Sequence, residues 1–109
     1  MIGSAGVQET LQMRREELVT RADRARDEAA HRREAVSRDF SEQASERQND
    51  DVLRGIESAA RTEIAQIDSA LERLRRGEYG ICVRCGRDIE AARLDAIPYA
   101  DRCQTCVGH

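Results

Sequence analysis

Four cysteines, all within the last 28 residues of a 109-residue chain, are the groups best suited to chemistry here. They stand as Cys82-Val83-Arg84-Cys85 and Cys103-Gln104-Thr105-Cys106, two C-x2-C pairs with 17 residues between them. That spacing lets four thiolates converge on a single zinc ion. Each pair is expected to form a knuckle whose backbone amides point at sulfur. Gly86, directly after the second cysteine, supplies the backbone freedom such a turn needs. Four thiolates complete a tetrahedron at about 2.3 Å and leave no position for water or substrate. The expected role of Cys82, Cys85, Cys103 and Cys106 is therefore structural: one Zn2+ per chain, with no catalytic part. Such a site contributes about 10 kcal/mol or more to the folding of a small module. A thiol redox switch or a rubredoxin-type iron centre would use the same residues, and neither has anything extra in its favour. His31, on the outer face of a helix, and His109, at the chain end, are spare ligands for an ion that is already saturated.

Nothing else in the chain suggests catalysis. There is no Ser/His/Asp set, no open metal position and no phosphate loop, so an enzyme is not expected. Charged residues make up 36% and aromatics 3% (Phe40, Tyr79, Tyr99), against 39% hydrophobic residues. This composition suits long helices sharing a narrow apolar seam. The net charge of −3 argues against a generic nucleic-acid binder, which needs clustered positive charge. No apolar run approaches the length of a transmembrane helix, and the first residues lack the pattern of a secretory signal. A cytoplasmic protein is expected, and clustered cysteines in that compartment read as metal ligands rather than disulfides.

The elements that must hold the cysteines divide at Gly77. Residues 1–77 contain no proline and no cysteine, and they read as an antiparallel coiled-coil hairpin; residues 78–109 form the C4-type zinc-finger module. In the first helix Leu11, Leu18, Ala22, Ala25, Ala29 and Val36 recur at spacings of three, four and seven, interrupted by Arg15 and Arg32. In the second, Leu53, Ile56, Ala60, Ile67, Leu71 and Leu74 do the same, with Ile64 beside the seam. Ser45-Glu46-Arg47-Gln48 fits a capping box with Ser45 as the cap. A turn centred near Gln43 would make the numbers of facing residues sum to roughly 87. Within the finger, Ile81, Ile89, Leu94, Ile97 and Tyr99 are the expected cluster around the metal. Asp88 to Asp95 is the expected short helix, ending before Ile97-Pro98. The fold class is thus mainly α: a two-helix hairpin attached to a small four-cysteine globule.

The acidity of the chain is concentrated near the turn. Residues 39–51 hold Asp39, Glu42, Glu46, Asp50 and Asp51 against Arg47 alone, a local net charge of −4. The rest of residues 1–78 nets +1 and residues 79–109 balance four acids against four arginines. Asp39 as an N-cap with Glu42 at the third helical position is also sound helix-start chemistry, so the same residues serve a structural reading.

The finger reads Gly77-Glu78-Tyr79-Gly80-Ile81-Cys82, then Cys85-Gly86, Ile89, Arg93-Leu94, Ala96, Pro98, Ala100 and Cys103 to Cys106. From Gly77 to Cys106, without a gap, this resembles the DksA/TraR C4-type zinc-finger family, and the hairpin extends the likeness to nearly the whole chain. The resemblance implies a bacterial transcription regulator that binds RNA polymerase without reading DNA sequence. In that family the hairpin enters the polymerase secondary channel. Its acidic tip approaches the catalytic magnesium region and destabilises open promoter complexes. The family tip D-x-x-D-x-A corresponds to Asp39-Phe40-Ser41-Glu42-Gln43-Ala44. Asp39, Glu42 and Ala44 are therefore the candidate partner-binding residues, with the tip near 39–46; Glu42 keeps the charge and adds a methylene. Positions that are basic in DksA and help hold ppGpp are Gln66, Ile97 and Val107 here, so ppGpp is not expected through that site. With three residues after Cys106, the chain resembles a short member of the family. A zinc-stabilised module that docks some other protein, and a thiol redox sensor, are the alternative functions.

Overall fold

A computed structural model describes residues 4–36 and 43–108, with side chains for 6–32 and 49–108. Its elements are α1 (Ser4–Val36), α2 (Gln43–Arg75) and α3 (Ala91–Ala96). Among the described residues, extended pairing is limited to one antiparallel bridge between Ile81 and Asp88. Among these residues no helix is long and apolar enough to cross a membrane.

Both long helices are built from strong helix formers: Ala, Leu, Glu, Arg and Gln dominate them, and α1 has no glycine after Gly6. α2 ends where Gly77 adopts a left-handed φ of +75°. The Glu78 amide donates to the Arg73 carbonyl at 2.8 Å and the Gly77 amide to Leu74 at 3.2 Å. This is a Schellman stop, which needs a residue without a Cβ penalty at Gly77. α2 starts three residues earlier than the capping box implies, so Ser45 lies inside the helix rather than at its cap. Gln43 and Ala44 favour the helix more than serine does, and they extend it past Ser45.

The chain forms two compact units: Met1–Arg15 with Ala65–His109, and Glu16–Ile64. In each, a stretch of α1 packs on a stretch of α2. The first buries Val7, Leu11, Ile67 and Ala70. The second buries Leu18, Ala22, Ala25, Ala29, Leu53, Ala60 and Ile64, with Ala25 and Ala29 packed on Leu53. Arg15 meets Asp68 across the first pair of segments at 2.7 Å. Arg61 meets Asp23 across the second at 3.2 Å while also holding Glu57 on its own helix. The residue numbers in these cross-helix pairs sum to 83 and 84, not 87. The register is thus displaced by about one helical turn, in keeping with the earlier start of α2. Ile56, expected on the seam, is 40% exposed, and Ile64, expected beside it, is buried. The apolar face of α2 in this unit runs through Leu53, Ala60 and Ile64, which leaves Ile56 on its flank.

Candidate metal centre

The first knuckle grows out of the bridge between Ile81 and Asp88. The Ile89 amide donates to the Gly80 carbonyl at 2.7 Å, the Cys82 amide to Arg87 at 2.8 Å and the Gly86 amide to Cys82 at 2.9 Å. Gly86 closes this turn at φ +76°, the left-handed conformation expected of it. The second knuckle is closed by the amides of Cys106 and Val107, both donating to the Cys103 carbonyl at 3.0 Å. The Val83 amide reaches across to Asp101 at 2.8 Å and so ties one knuckle to the segment that leads into the other.

These turns bring the four sulfurs together, every Sγ within 4.8 Å of the others. Cys85 Sγ and Cys103 Sγ are 3.7 Å apart. Thiolates about 2.3 Å from a shared tetrahedral ion have edges of about 3.8 Å, so the donor set and its spacing fit one zinc ion. No bridge links the sulfurs, and all four cysteines are free. The electrostatics agree. Backbone amides of Cys85, Cys103 and Arg84 aimed at Cys82 stabilise its thiolate, the Cys85 amide most, and pull its thiol down to about 6. Burial, with the three neighbouring sulfurs, pushes Cys106 up to about 12. Four sulfurs this close cannot all carry charge without a cation among them, and a divalent soft-tolerant ion removes the conflict.

The support around the sulfurs is more polar than the sequence suggested. Ile89 is buried against Cys82 and Cys103, and Leu94 packs on them. Ile81 does not join this cluster: it lies on the bridge and is 38% exposed. Ile97 and Tyr99 are half-buried and line a pocket instead. The short helix begins at Ala91, not Asp88, because Asp88 and Ile89 are used by the bridge. Hydrogen bonds do the remaining bracing. Tyr79 donates its hydroxyl to the Pro98 carbonyl at 2.8 Å, and burial pushes its pKa up. Arg93 donates through Nε to the Arg102 carbonyl at 2.8 Å, just before the second knuckle. The Glu90 carboxylate accepts the Gln104 amide at 3.2 Å, inside that knuckle. Tyr79 and Arg93 are letters of the finger motif, but their targets are carbonyls, which no residue pattern advertises.

Of the remaining candidate residues, Asp39 and Glu42 lie outside the described residues, and Ala44 falls in the first turn of α2. Gln66, Ile97 and Val107 line one pocket of about 310 Å³, together with Ser69 and Tyr99. Arg73 and Arg93 line it too, so the pocket contains guanidinium groups that inspection of the three positions alone did not disclose. Both are engaged with backbone: Arg73 donates to Tyr99 at 3.4 Å, and Arg93 to Arg102 as above.

A four-cysteine zinc finger following a long helical pair is the class of protein these elements define. Residues 7–74 match the family model for the DnaK suppressor protein-like N-terminal domain, and residues 77–106 match that for the prokaryotic dksA/traR C4-type zinc finger. The chain belongs to this DksA-like family. It is 35% identical over 69 residues to an uncharacterized protein of Aquifex aeolicus (strain VF5), covering 63% of this chain and 48% of that one. It is 32% identical over 56 residues to general stress protein 16O of Bacillus subtilis (strain 168), covering 51% and 32% respectively. The match thus spans half or less of the length of these curated relatives. Among solved structures it is similar to transcription factor DksA2 from Pseudomonas aeruginosa. There the TM-score is 0.79 at 28% identity, over 92% of this chain and 76% of that one.

Proposed function

We propose that this protein is a DksA/TraR-type transcription regulator that binds RNA polymerase and modulates initiation without reading DNA sequence. The observation that carries this reading is the ordered pair of family matches, 7–74 then 77–106, on a chain whose four sulfurs converge. In this reading residues 1–77 act as a hairpin that enters the secondary channel, and residues 78–109 act as a module held by zinc on Cys82, Cys85, Cys103 and Cys106. The ion supplies rigidity and performs no chemistry, since four thiolates leave it no open position. Asp39, Glu42 and Ala44 form the working tip, and the local net of −4 over residues 39–51 is suited to a pocket that holds metal cations. The protein acts as a regulator in the cytoplasm and not as an enzyme, and ppGpp is not required at the pocket of Gln66, Ile97 and Val107.

The test compares the wild type with the double variant Asp39→Asn, Glu42→Gln. Both are expected to bind purified polymerase at micromolar concentration and to show the same far-ultraviolet circular dichroism. Only the wild type is expected to change the lifetime of open promoter complexes. Failure of the wild type to bind polymerase overturns the reading. Equal activity of the double variant removes the tip from it and favours a zinc-stabilised docking module.

A further inference from the structure

The first knuckle displays side chains that holding a metal does not require. Cys82 and Cys103 are buried, yet from Val83 to Arg87 every residue is exposed, Cys85 included. Val83 is 56% exposed, and Ile81, just before the knuckle, is 38% exposed. The letters of the finger motif here are Cys82, Cys85, Gly86 and Ile89, and Val83, Arg84 and Arg87 fall between them. The other arginines of the finger are engaged: Arg93 is held on the Arg102 carbonyl at 2.8 Å, and Arg102 has a partner of its own. Arg84 and Arg87 make no side-chain hydrogen bond or ion pair among the described residues. Residues 83–87 thus carry two positive charges and no acid, with Asp88 following on the bridge.

The backbone beneath these side chains is fixed. The Cys82 amide donates to the Arg87 carbonyl at 2.8 Å, the Gly86 amide to Cys82 at 2.9 Å and the Val83 amide to Asp101 at 2.8 Å. Side chains carried on a braced turn lose less freedom on binding than the same groups on a loose loop. Guanidinium groups meet carboxylates bidentately, and arginine is one of the residues that dominate binding energy at interfaces.

From this arrangement we propose that Val83, Arg84 and Arg87 form a docking surface for an acidic segment of RNA polymerase, one that offers carboxylates to the two guanidinium groups and an apolar side chain to Val83. Charge complementarity selects the acidic partner. The exposed valine selects protein over nucleic acid, because a phosphate backbone has nothing apolar to cover it and the whole chain carries −3. The inference rests on polymerase being the partner, and it adds to that reading a contact made by the finger itself.

The experiment uses the full zinc-loaded chain and purified core polymerase free of nucleic acid. Arg84→Gln with Arg87→Gln is expected to keep one zinc and the wild-type circular dichroism, and to bind at least about tenfold more weakly. Arg84→Lys with Arg87→Lys, which keeps the charge, is expected to recover most of that loss. A second measurement needs no variant: phenylglyoxal labels exposed arginines, and peptide mass spectrometry locates the adducts. Core polymerase is expected to protect Arg84 and Arg87 of the wild type at least several-fold. Unchanged affinity of the glutamine variant, or equal labelling with and without polymerase, overturns this inference alone. A loss of affinity seen only when promoter DNA is present assigns the surface to phosphate and also overturns it. Failure of the wild type to bind polymerase overturns it together with the proposed function.

Discussion

Glu16–Ile64 and the unit formed by Met1–Arg15 with Ala65–His109 both join stretches of α1 and α2, yet they do so with different materials. The second has Leu11, Ile67 and Ala70 at 0–1% exposure, a Schellman stop, two knuckles and a tetrad of sulfurs. Among the described residues of Glu16–Ile64, four of the seven buried ones are alanines. A buried methyl group contributes only about 0.8 kcal/mol, so an alanine seam gains little per turn. Its cross-helix ion pair, Arg61 with Asp23, is solvent-exposed, and such pairs add about 0–1 kcal/mol. One unit is thus held at a few strong points, and the other by many weak ones along its length.

The largest effect expected from this contrast follows removal of zinc. Chelation, or Cys82→Ser, should withdraw on the order of 10 kcal/mol of metal binding from the finger. Residues 78–108 should then lose amide-exchange protection, while Glu16–Ile64 retains helicity. Equal loss of protection in both units would show that the contrast is false. A smaller effect compares single core truncations. Ile67→Ala, at a fully buried position, should cost about 2–4 kcal/mol in urea unfolding. Leu53→Ala, at 9% exposure among alanines, should fall near the lower end, at about 2 kcal/mol. The smallest effect is a pair of glycine substitutions with opposite signs. Gly77→Ala forces a Cβ onto a left-handed φ and should cost about 1 kcal/mol or more. Gly55→Ala, in α2 with open space around the added methyl, should stabilise by about 0.5–1 kcal/mol. Thermal unfolding with residue-level readout separates the two.

Much of this was legible in the residues. The two C-x2-C pairs announced a convergent tetrad, since their spacing brings knuckles together whatever lies between. Leu11, Leu18, Ala25, Leu53, Ala60 and Ile67 were readable as seam because heptad spacing survives any small change of register. What misled was sensitive to small displacements. Ser45 has good capping chemistry, but Gln43 and Ala44 carry the helix past it. With that earlier start, the pairing moved by about one turn. Ile56 was placed on the seam and is instead exposed, because its flank of the stripe is not the buried one in that unit. Asp88 and Ile89 were assigned to a helix and serve a bridge, because Ile89 gains a backbone partner in Gly80.

Taken alone, the amino-acid order determined the donor set, the helical class and the concentration of acid at residues 39–51. These depend on composition and on short periodic spacings, which the local chain geometry enforces. Only the tertiary structure decided which cysteine of each pair is open, which carbonyls Tyr79 and Arg93 brace, and that two guanidinium groups share a pocket with Gln66, Ile97 and Val107. The physical reason is that burial and hydrogen bonding are set by residues distant along the chain, and a backbone carbonyl has the same chemistry at every position.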